Sequence, residues 1–222
     1  CMHGCGHDGH TTMLLGAARY LARHRDFDGT VHLLFQPGEE GFAGAQAMID
    51  DGLFERFPCD AIFGLHNHPG VAAGTFLFGS GPFMSASDTA KIVVHGRGGH
   101  AARPHLAVDP IMIAGSLIMA LQTVVSRNID PTQTAVVTVG TVHAGIAANV
   151  IPESATLELS IRSFDAAVRE RMQHRITELV TGHVQAYGGT VEIDYRRGYP
   201  VVVNSPAETE FARRVAEELV GP

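Results

Sequence analysis

The segment ESATLELSIRSF, residues 153–164, carries the clearest strand signal in the chain. Apolar and polar side chains alternate along it with the two-residue period of a β-strand, which sends them to opposite faces. The strand therefore has one apolar and one polar face. The apolar members are Ala155, Leu157, Leu159 and Ile161, and the polar members are Thr156, Glu158, Ser160 and Arg162.

Five further elements surround this strand and together with it define a domain. In chain order, the six elements are a strand at 87–95, a helix at 109–127, a strand at 134–142, the strand at 153–164, a helix at 165–187 and a strand at 190–197. Asp109 is most simply the N-cap of the first helix, Pro110 suits its first turn, and the second helix stops at Gly188-Gly189. This order predicts the split βαβ arrangement of ferredoxin-like domains.

The region before residue 87 follows a different order. Helical patterns at 9–24 and 42–51 alternate with short apolar strand patterns at 30–36 and 60–65. This alternation predicts an α/β sheet flanked by helices. A last helical pattern at 205–220 is expected to return to the same domain, so that the ferredoxin-like domain is an insertion.

The predicted fold class is therefore α/β, with a mixed sheet flanked by helices in the first domain. The first part of that domain covers residues 1–86, the inserted domain covers 87–203, and the return to the first domain covers 204–222. No internal repeat or low-complexity tract interrupts this organisation.

Composition narrows the class of protein. Hydrophobic residues make up 45% and charged residues 18%, a normal globular balance, and no uninterrupted apolar run is long enough to span a bilayer. The net charge of −7, without a basic block, argues against nucleic acid as a partner. Three cysteines, Cys1, Cys5 and Cys59, cannot all pair within the chain. A reducing, cytoplasmic location is therefore expected.

Thirteen histidines are more than structural roles usually require, and several of them cluster. The densest stretch is CMHGCGHDGH, residues 1–10, where Gly4 and Gly6 argue against a helix. In an extended segment Cys5 and His7 point to the same side, so that a thiolate and an imidazole can grip one metal ion or bridge two. The alternative is a histidine-rich loop without a ligand.

Two other stretches carry candidate site residues. In QPGEEG, residues 36–41, Glu39 and Glu40 follow a predicted strand, where open α/β sheets place their sites. One carboxylate can bind metal while the other acts as general base, although an acidic helix start is the simpler alternative. In GLHNHPG, residues 64–70, His66 follows another predicted strand. Three such junctions together favour a metal site.

Five ordered motifs resemble the M20 family of metallopeptidases. They are MHGCGHDGH, QPGEEGFAGA, GLHNHPG, GRGGHAARPHLAVDP and ANVIPE, and they cover nearly the whole chain. The most similar branch is that of the amidohydrolases, which includes hippurate hydrolase, N-acyl-amino-acid deacylases and auxin-conjugate hydrolases. The resemblance implies a catalytic α/β domain that carries a pair of divalent metals, and an inserted lid domain that often dimerises.

The resemblance also implies roles for individual residues. Those that match metal ligands are Cys5, His7, Glu40 and His66, with Cys5 as a bridging ligand. Glu39 matches the general base. His100, in the GRGGH motif, matches the histidine that stabilises the tetrahedral oxyanion, often from the partner subunit. Asn149 and Arg162 match positions that hold the carboxylate of the substrate.

These roles agree with the chemistry of the residues. Arg162 lies on the polar strand face, and a guanidinium fork suits a carboxylate. The implied cofactors are two divalent ions, Zn, Mn, Co or Ni, since a bridging thiolate favours softer ions and carboxylates also accept Mn. The implied substrate is a small N-acyl amino acid, and neither nucleic acid nor membrane is expected as a partner.

Two departures and two alternatives accompany the resemblance. Family members carry an aspartate motif upstream and a last histidine ligand near the carboxyl terminus, and neither lies within these residues, so the chain is expected to be truncated at both ends. The first alternative is a non-catalytic or inactive fragment that retains the fold. The second is a hydrolase that uses Cys5 as its nucleophile.

The helix at 109–127 is apolar nearly all round, which is typical of a helix buried on more than one side. We expect it to pack on the sheet of the inserted domain with part of its surface left for a partner. A homodimer through this domain follows as a prediction.

Overall fold

The computed structural model describes residues 5–221, so that Cys1 and His3 lie outside the described residues. The chain divides into two compact units. The larger unit is Gly79–Thr209, and the smaller combines the described residues up to Phe78 with those from Glu210 onward. The larger unit begins before and ends after the predicted range of 87–203.

Helices and strands together make the chain an α/β protein, as predicted. The helices are α1 (His7–Leu21), α2 (Glu39–Phe42), α3 (Gly44–Asp50), α4 (Leu53–Arg56), α5 (Pro110–Asn128), α6 (Ala166–Ala186) and α7 (Pro206–Val220), with a 3-10 turn at Pro104–Leu106. The strands are β1 (Gly81–Met84), β2 (Ala86–His95), β3 (Gly99–His100), β4 (Ala135–Ala144), β5 (Val150–Ile151), β6 (Ser154–Ser163), β7 (Thr190–Arg197) and β8 (Val202–Asn204).

The larger unit is built on a four-stranded antiparallel sheet in the spatial order β4-β6-β2-β7. The predicted alternation of β6 is confirmed, because Ala155, Leu157, Leu159 and Ile161 are all buried. The other three predicted strands and both helices form within two residues of their expected bounds. Two short antiparallel pairs, β1 with β8 and β3 with β5, complete the unit.

Helices α5 and α6 cover the apolar face of this sheet. Ile113, Leu117 and Leu121 of α5 are fully buried, as are Met172 and Ile176 of α6. Burying an aliphatic side chain of this size stabilises a fold by roughly 1.5–3 kcal/mol. The core therefore lies between the two helices and the sheet, and the opposite face of the sheet carries the polar members of β6.

Helix α5 has a composition that needs an explanation. Within the described residues it is the helix that is long and apolar enough, by length and composition alone, to cross a membrane, although polar residues interrupt its apolar sequence. Ile113 and Leu117 pack in the core of the larger unit, and the core helix of a globular domain has the same composition. Asp109 caps the helix, accepting hydrogen bonds from the backbone of Ile111 and Met112 at 2.9 and 3.3 Å.

A buried ionic network ties β2 to the chain beyond β7. Asp88, 1% exposed, accepts hydrogen bonds from the Arg169 guanidinium, the Tyr195 hydroxyl at 3.0 Å and the Gly198 backbone at 3.0 Å. Burial raises the pKa of Asp88, but the hydrogen bonds outweigh it and hold this pKa below its ordinary value. The carboxylate therefore stays ionised and paired near neutral pH.

The two strands predicted for the first domain do not form. Residues 30–36 and 60–65 have no regular secondary structure, and among residues 5–221 no ladder of backbone hydrogen bonds joins either segment to a neighbour. An extended segment becomes a strand only when a second strand satisfies its backbone groups. The predicted mixed sheet of this domain is therefore absent from the described residues, and Val31, Phe35 and Ile62 are 44–59% exposed.

Other local contacts order the smaller unit. Val31 and Leu33 line an apolar cleft of about 350 Å³ with Met48. The predicted helix at 205–220 is confirmed as α7, and its Phe211 ring lies 6.0 Å from the ring of Phe63.

The predicted helix at 42–51 is also interrupted. Residues 44–50 of it form α3, while Phe42 ends the preceding helix α2, and Ala43 lies between the two helices at φ +50°. At Gly44 a Cβ atom would lie 1.5 Å from the Pro37 carbonyl oxygen, so only glycine permits this close approach of two backbone segments. The turn brings the Glu39-Glu40 pair to the surface of the smaller unit.

Candidate metal centre

Three turns of the smaller unit supply the candidate ligands. Gly6, at φ +82°, turns the chain into α1, which places Cys5 just before the helix and His7 at its first position. The segment is therefore helical from His7, two residues earlier than predicted, rather than extended. Glu39 and Glu40 open α2, and His66 lies in the loop after residue 65.

Within the described residues, two groups of side chains offer ligand atoms that all lie within 4.8 Å of one another. The first group is Cys5, His7 and His66, and the second is His7, Glu39 and Glu40. All five predicted residues of the first domain are thus brought together, from segments as far apart as residues 5 and 66. His7 belongs to both groups, an arrangement that suits two adjacent ions.

The distances fit a divalent ion. Cys5 Sγ lies 3.6 Å from His66 Nε2. Two ligands of one tetrahedral zinc, with Zn–S and Zn–N bonds of about 2.3 and 2.0 Å, stand roughly 3.6 Å apart. His7 Nε2 lies 3.5 Å from a Glu39 carboxylate oxygen, which is also a ligand-to-ligand separation. A thiolate, imidazoles and carboxylates are together the donor set of zinc and related ions.

The two carboxylates have different predicted roles that the geometry does not separate. Both Glu39 and Glu40 lie within ligand distance of His7, and both are exposed. A base for attacking water and a metal ligand can occupy such neighbouring positions. The role of Glu39 as base and that of Glu40 as ligand therefore stay predictions.

Sequence reasoning assigns no role to His10 or Asn67, which lie beside this cluster. The His10 ring centroid is 4.4 Å from that of His66, and Asn67 directly follows His66. The available signal is position: His10 lies three residues after His7, on the same side of α1. The contact between His10 and Asn67 spans 57 residues and has no signature in the sequence.

The predicted residues of the inserted domain belong to the larger unit. His100 lies on β3 opposite Val150 of β5, and the Ala101 backbone donates to the Asn149 carbonyl at 3.0 Å. His100 Nδ1 accepts a hydrogen bond from the Ala102 backbone at 3.1 Å. The structure brings His100 and Asn149 together at an open cavity of about 780 Å³, which His143 also lines.

Arg162 is not part of that cavity. It lies on the polar face of β6, in register with Ser87 and Val136. Ser154, at the start of the same strand, does line the cavity. At about 3.3 Å per residue, the eight steps from Ser154 to Arg162 cover roughly 26 Å. One copy of the larger unit therefore does not present Asn149 and Arg162 to the same carboxylate group.

The chain is similar to several characterised proteins. It is 47% identical to a hippurate hydrolase of Campylobacter jejuni, over 99% of this chain and 57% of that protein. It is 42% identical to an N-acetyl-L-cysteine deacetylase of Bacillus subtilis, over 98% of this chain and 52% of that protein. The chain thus spans about half the length of the curated relatives it matches.

A solved structure and a family profile agree with these relatives. The structure of a Bacillus subtilis protein, described as a dinuclear metal-binding peptidase of the M20 family, superposes with a TM-score of 0.75 at 33% identity. The match covers 98% of this chain and 55% of that one. The profile of peptidase family M20/M25/M40 matches residues 1–222. The chain therefore belongs to peptidase family M20/M25/M40.

Proposed function

We propose that the full-length protein containing this chain is a metal-dependent hydrolase of N-acyl amino acids. It cleaves the amide bond and releases a carboxylic acid and a free amino acid. The observation that carries the proposal is the convergence of Cys5, His7, Glu39, Glu40 and His66 from three separate segments. Relatives named for hippurate and N-acetyl-L-cysteine support acylated amino acids as the substrate class.

Two divalent ions are the proposed cofactors, and Cys5, His7, Glu40 and His66 would hold them. The ions are Zn, Mn, Co or Ni, since the donor set accepts each of them. The dinuclear description of the Bacillus subtilis M20 structure supports the number of ions. When bound, they would supply Lewis acidity to the scissile carbonyl and to the attacking water.

The residues of the chain perform the remaining steps. Glu39 takes a proton from the attacking water as the C–O bond forms, and it delivers that proton to the leaving nitrogen as the C–N bond breaks. His100 donates a hydrogen bond to the tetrahedral oxyanion, where losing one donor typically costs about 10²–10³ in rate. Asn149 and Arg162 hold the substrate carboxylate. The proton balance closes, because Glu39 ends each cycle ionised.

The larger unit is proposed to be a ferredoxin-like lid and dimerisation domain. Its strand order supports this: β6 lies between β2 and β4, and β2 lies between β6 and β7, so each βαβ unit is split by a strand of the other. The separation of Arg162 from the cavity at His100 and Asn149 supports a shared site. Two copies can together present residues that one copy holds at opposite ends of β6, with His100 and Asn149 near Ser154 and Arg162 at the other end.

A homodimer through this domain has a measurable consequence. Helix α5 leaves Ile111, Met112 and Met119 exposed at 46–71%, an apolar surface of the kind that marks an interface. We expect light scattering to give a dimer at micromolar concentration, and Met119→Glu to weaken it at least tenfold. Gln185→Glu, which adds the same charge at an exposed position of α6, is the control. A wild-type monomer would contradict the proposal.

The substrate class has its own test in the full-length protein. We expect release of free amino acid from N-benzoyl and N-acetyl amino acids, and little release when the α-carboxylate is amidated, because Asn149 and Arg162 then lose their partner. Equal rates with and without the carboxylate would contradict the assigned substrate class. No turnover across the panel with metal bound would favour the alternative of a non-catalytic protein.

Two coarser proposals accompany the function. The small number of cysteines and their unpaired state at Cys5 and Cys59 support a cytoplasmic location. The acidic net charge of −7 supports a small molecule rather than nucleic acid as the partner.

A hydrolase that uses Cys5 as nucleophile is the second candidate function, because the 3.6 Å contact between Cys5 Sγ and His66 Nε2 also suits a thiolate–imidazole pair.

A further inference from the structure

We propose that His10, acting through Asn67, is a positioning residue that fixes the ring of His66 for metal binding. The inference deepens the proposed metal site and rests on His66 being a ligand there. It gives a role to His10 and Asn67, which contact the candidate ligands but belong to neither group of them.

The first step is the orientation of the His66 ring. Its Nδ1 lies 2.7 Å from the Asn67 carbonyl oxygen. A carbonyl oxygen only accepts, so this hydrogen bond requires the proton on Nδ1 and leaves the lone pair on Nε2. Nε2 is the atom that lies 3.6 Å from Cys5 Sγ, where a shared ion would be bound. The Asn67 carbonyl thus selects the tautomer and the direction of the metal-binding nitrogen.

The second step is the placement of Asn67 itself. Its backbone N–H donates to His10 Nε2 at 3.1 Å. His10 therefore holds the main chain of the residue that orients His66. The His10 ring also contacts the His66 ring in a tilted arrangement, with centroids 4.4 Å apart. A loop that is otherwise exposed is held at this point by a helical residue.

The third step is the packing of the Asn67 side chain against Gly6. A Cβ atom on Gly6 would lie 2.6 Å from Asn67 Oδ1, so the amide packs directly on the Gly6 backbone. Gly6 separates the ligands Cys5 and His7 in the chain. Asn67 thus lies between His10 and Gly6, and it links the segment with two ligands to the loop with the third.

His10 is a positioning residue rather than a fourth ligand. Its Nε2 is already occupied by Asn67, and it falls outside both groups of ligand atoms within 4.8 Å. Its place on α1, three residues after His7, gives it a rigid base. Losing such a supporting partner typically costs about 10–100-fold in metal affinity.

The experiment measures metal binding by the full-length protein. Zinc affinity is determined by chelator competition, and the Co²⁺ absorption spectrum reports ligand geometry. We expect His10→Ala to weaken zinc binding about 10–100-fold and to change the Co²⁺ spectrum. His10→Gln, which can still accept from the Asn67 N–H, should recover most of the affinity. His24→Ala, near the end of the same helix and stacked on Tyr20, is the matched control.

The outcomes separate this inference from the proposed function. Unchanged affinity and an unchanged spectrum in His10→Ala, with binding lost in His66→Ala, would overturn the positioning role alone. Unchanged binding in His66→Ala would overturn both. If His10→Ala fails to fold by circular dichroism, His10→Leu, which fills similar space but cannot accept from the Asn67 N–H, decides: weakened binding supports the role, and wild-type binding overturns it.

Discussion

Replacing Glu39 by glutamine is expected to lower turnover by about 10²–10⁴ while the protein keeps both metal ions, because this is the usual contribution of a general base. Glutamine keeps the size of the side chain but cannot take a proton from water. His7 Nε2 lies 3.5 Å from the Glu39 carboxylate, so the change falls inside the candidate site. Turnover of N-acyl amino acids and metal content by elemental analysis are measured on the same preparation.

A second substitution separates the two neighbouring carboxylates. Glu40→Gln removes a proposed ligand, and we expect it to lower metal content as well as turnover. Glu55→Gln, at an exposed position of α4, is the control and should change neither. If Glu39→Gln loses metal while Glu40→Gln retains it, the two roles are exchanged. Full turnover in Glu39→Gln would refute its role as the base.

Local patterns predicted the larger unit well. The alternation of β6 and the cap at Asp109 are properties of a few neighbouring residues, and the structure forms both as expected. Each of these signals depends on side-chain periodicity or on a single hydrogen-bonding residue. The elements that they predict therefore needed no knowledge of distant contacts.

In the smaller unit, local sequence patterns did not predict two features of the structure. Residues 30–36 and 60–65 have the apolar composition of strands, yet strand formation depends on a partner that composition does not specify. The break at Ala43 depends on the approach of Pro37 to Gly44, which is likewise a contact in space. A hydrophobic run alone therefore does not establish that a segment forms a hydrogen-bonded strand.

The candidate site likewise combines residues that the sequence predicts with residues that only contacts in space reveal. Cys5, His7, Glu39, Glu40 and His66 were predicted as site residues because their residue types and motifs indicate metal chemistry. Asn67 is an ordinary loop asparagine by type, and only the structure reveals its contacts with His10 and Gly6. Supporting residues of this kind are defined by position in space rather than by chemistry, which explains why they were missed.

Removal of the metal ions by a chelator is expected to lower turnover by about 10³-fold or more, since Lewis-acid stabilisation contributes several kcal/mol and each 1.36 kcal/mol is a factor of ten. Adding back Zn²⁺ or Mn²⁺ should restore the rate. An unchanged circular dichroism spectrum would show that the chelated protein remains folded. We expect this result because the core of the larger unit contains none of the proposed ligands.

Thiol alkylation of the same preparations decides between metal chemistry and a Cys5 nucleophile. A variant with Cys1→Ser and Cys59→Ser leaves Cys5 as the only thiol of this chain. If Cys5 is a ligand, bound metal should slow its alkylation, and the chelated protein should react faster because the thiolate is then uncovered. If Cys5 is the nucleophile, the chelated protein keeps its full rate and loses it on alkylation. That second pattern would exclude the metal-dependent mechanism, because a rate that survives without the ions cannot depend on their ligands.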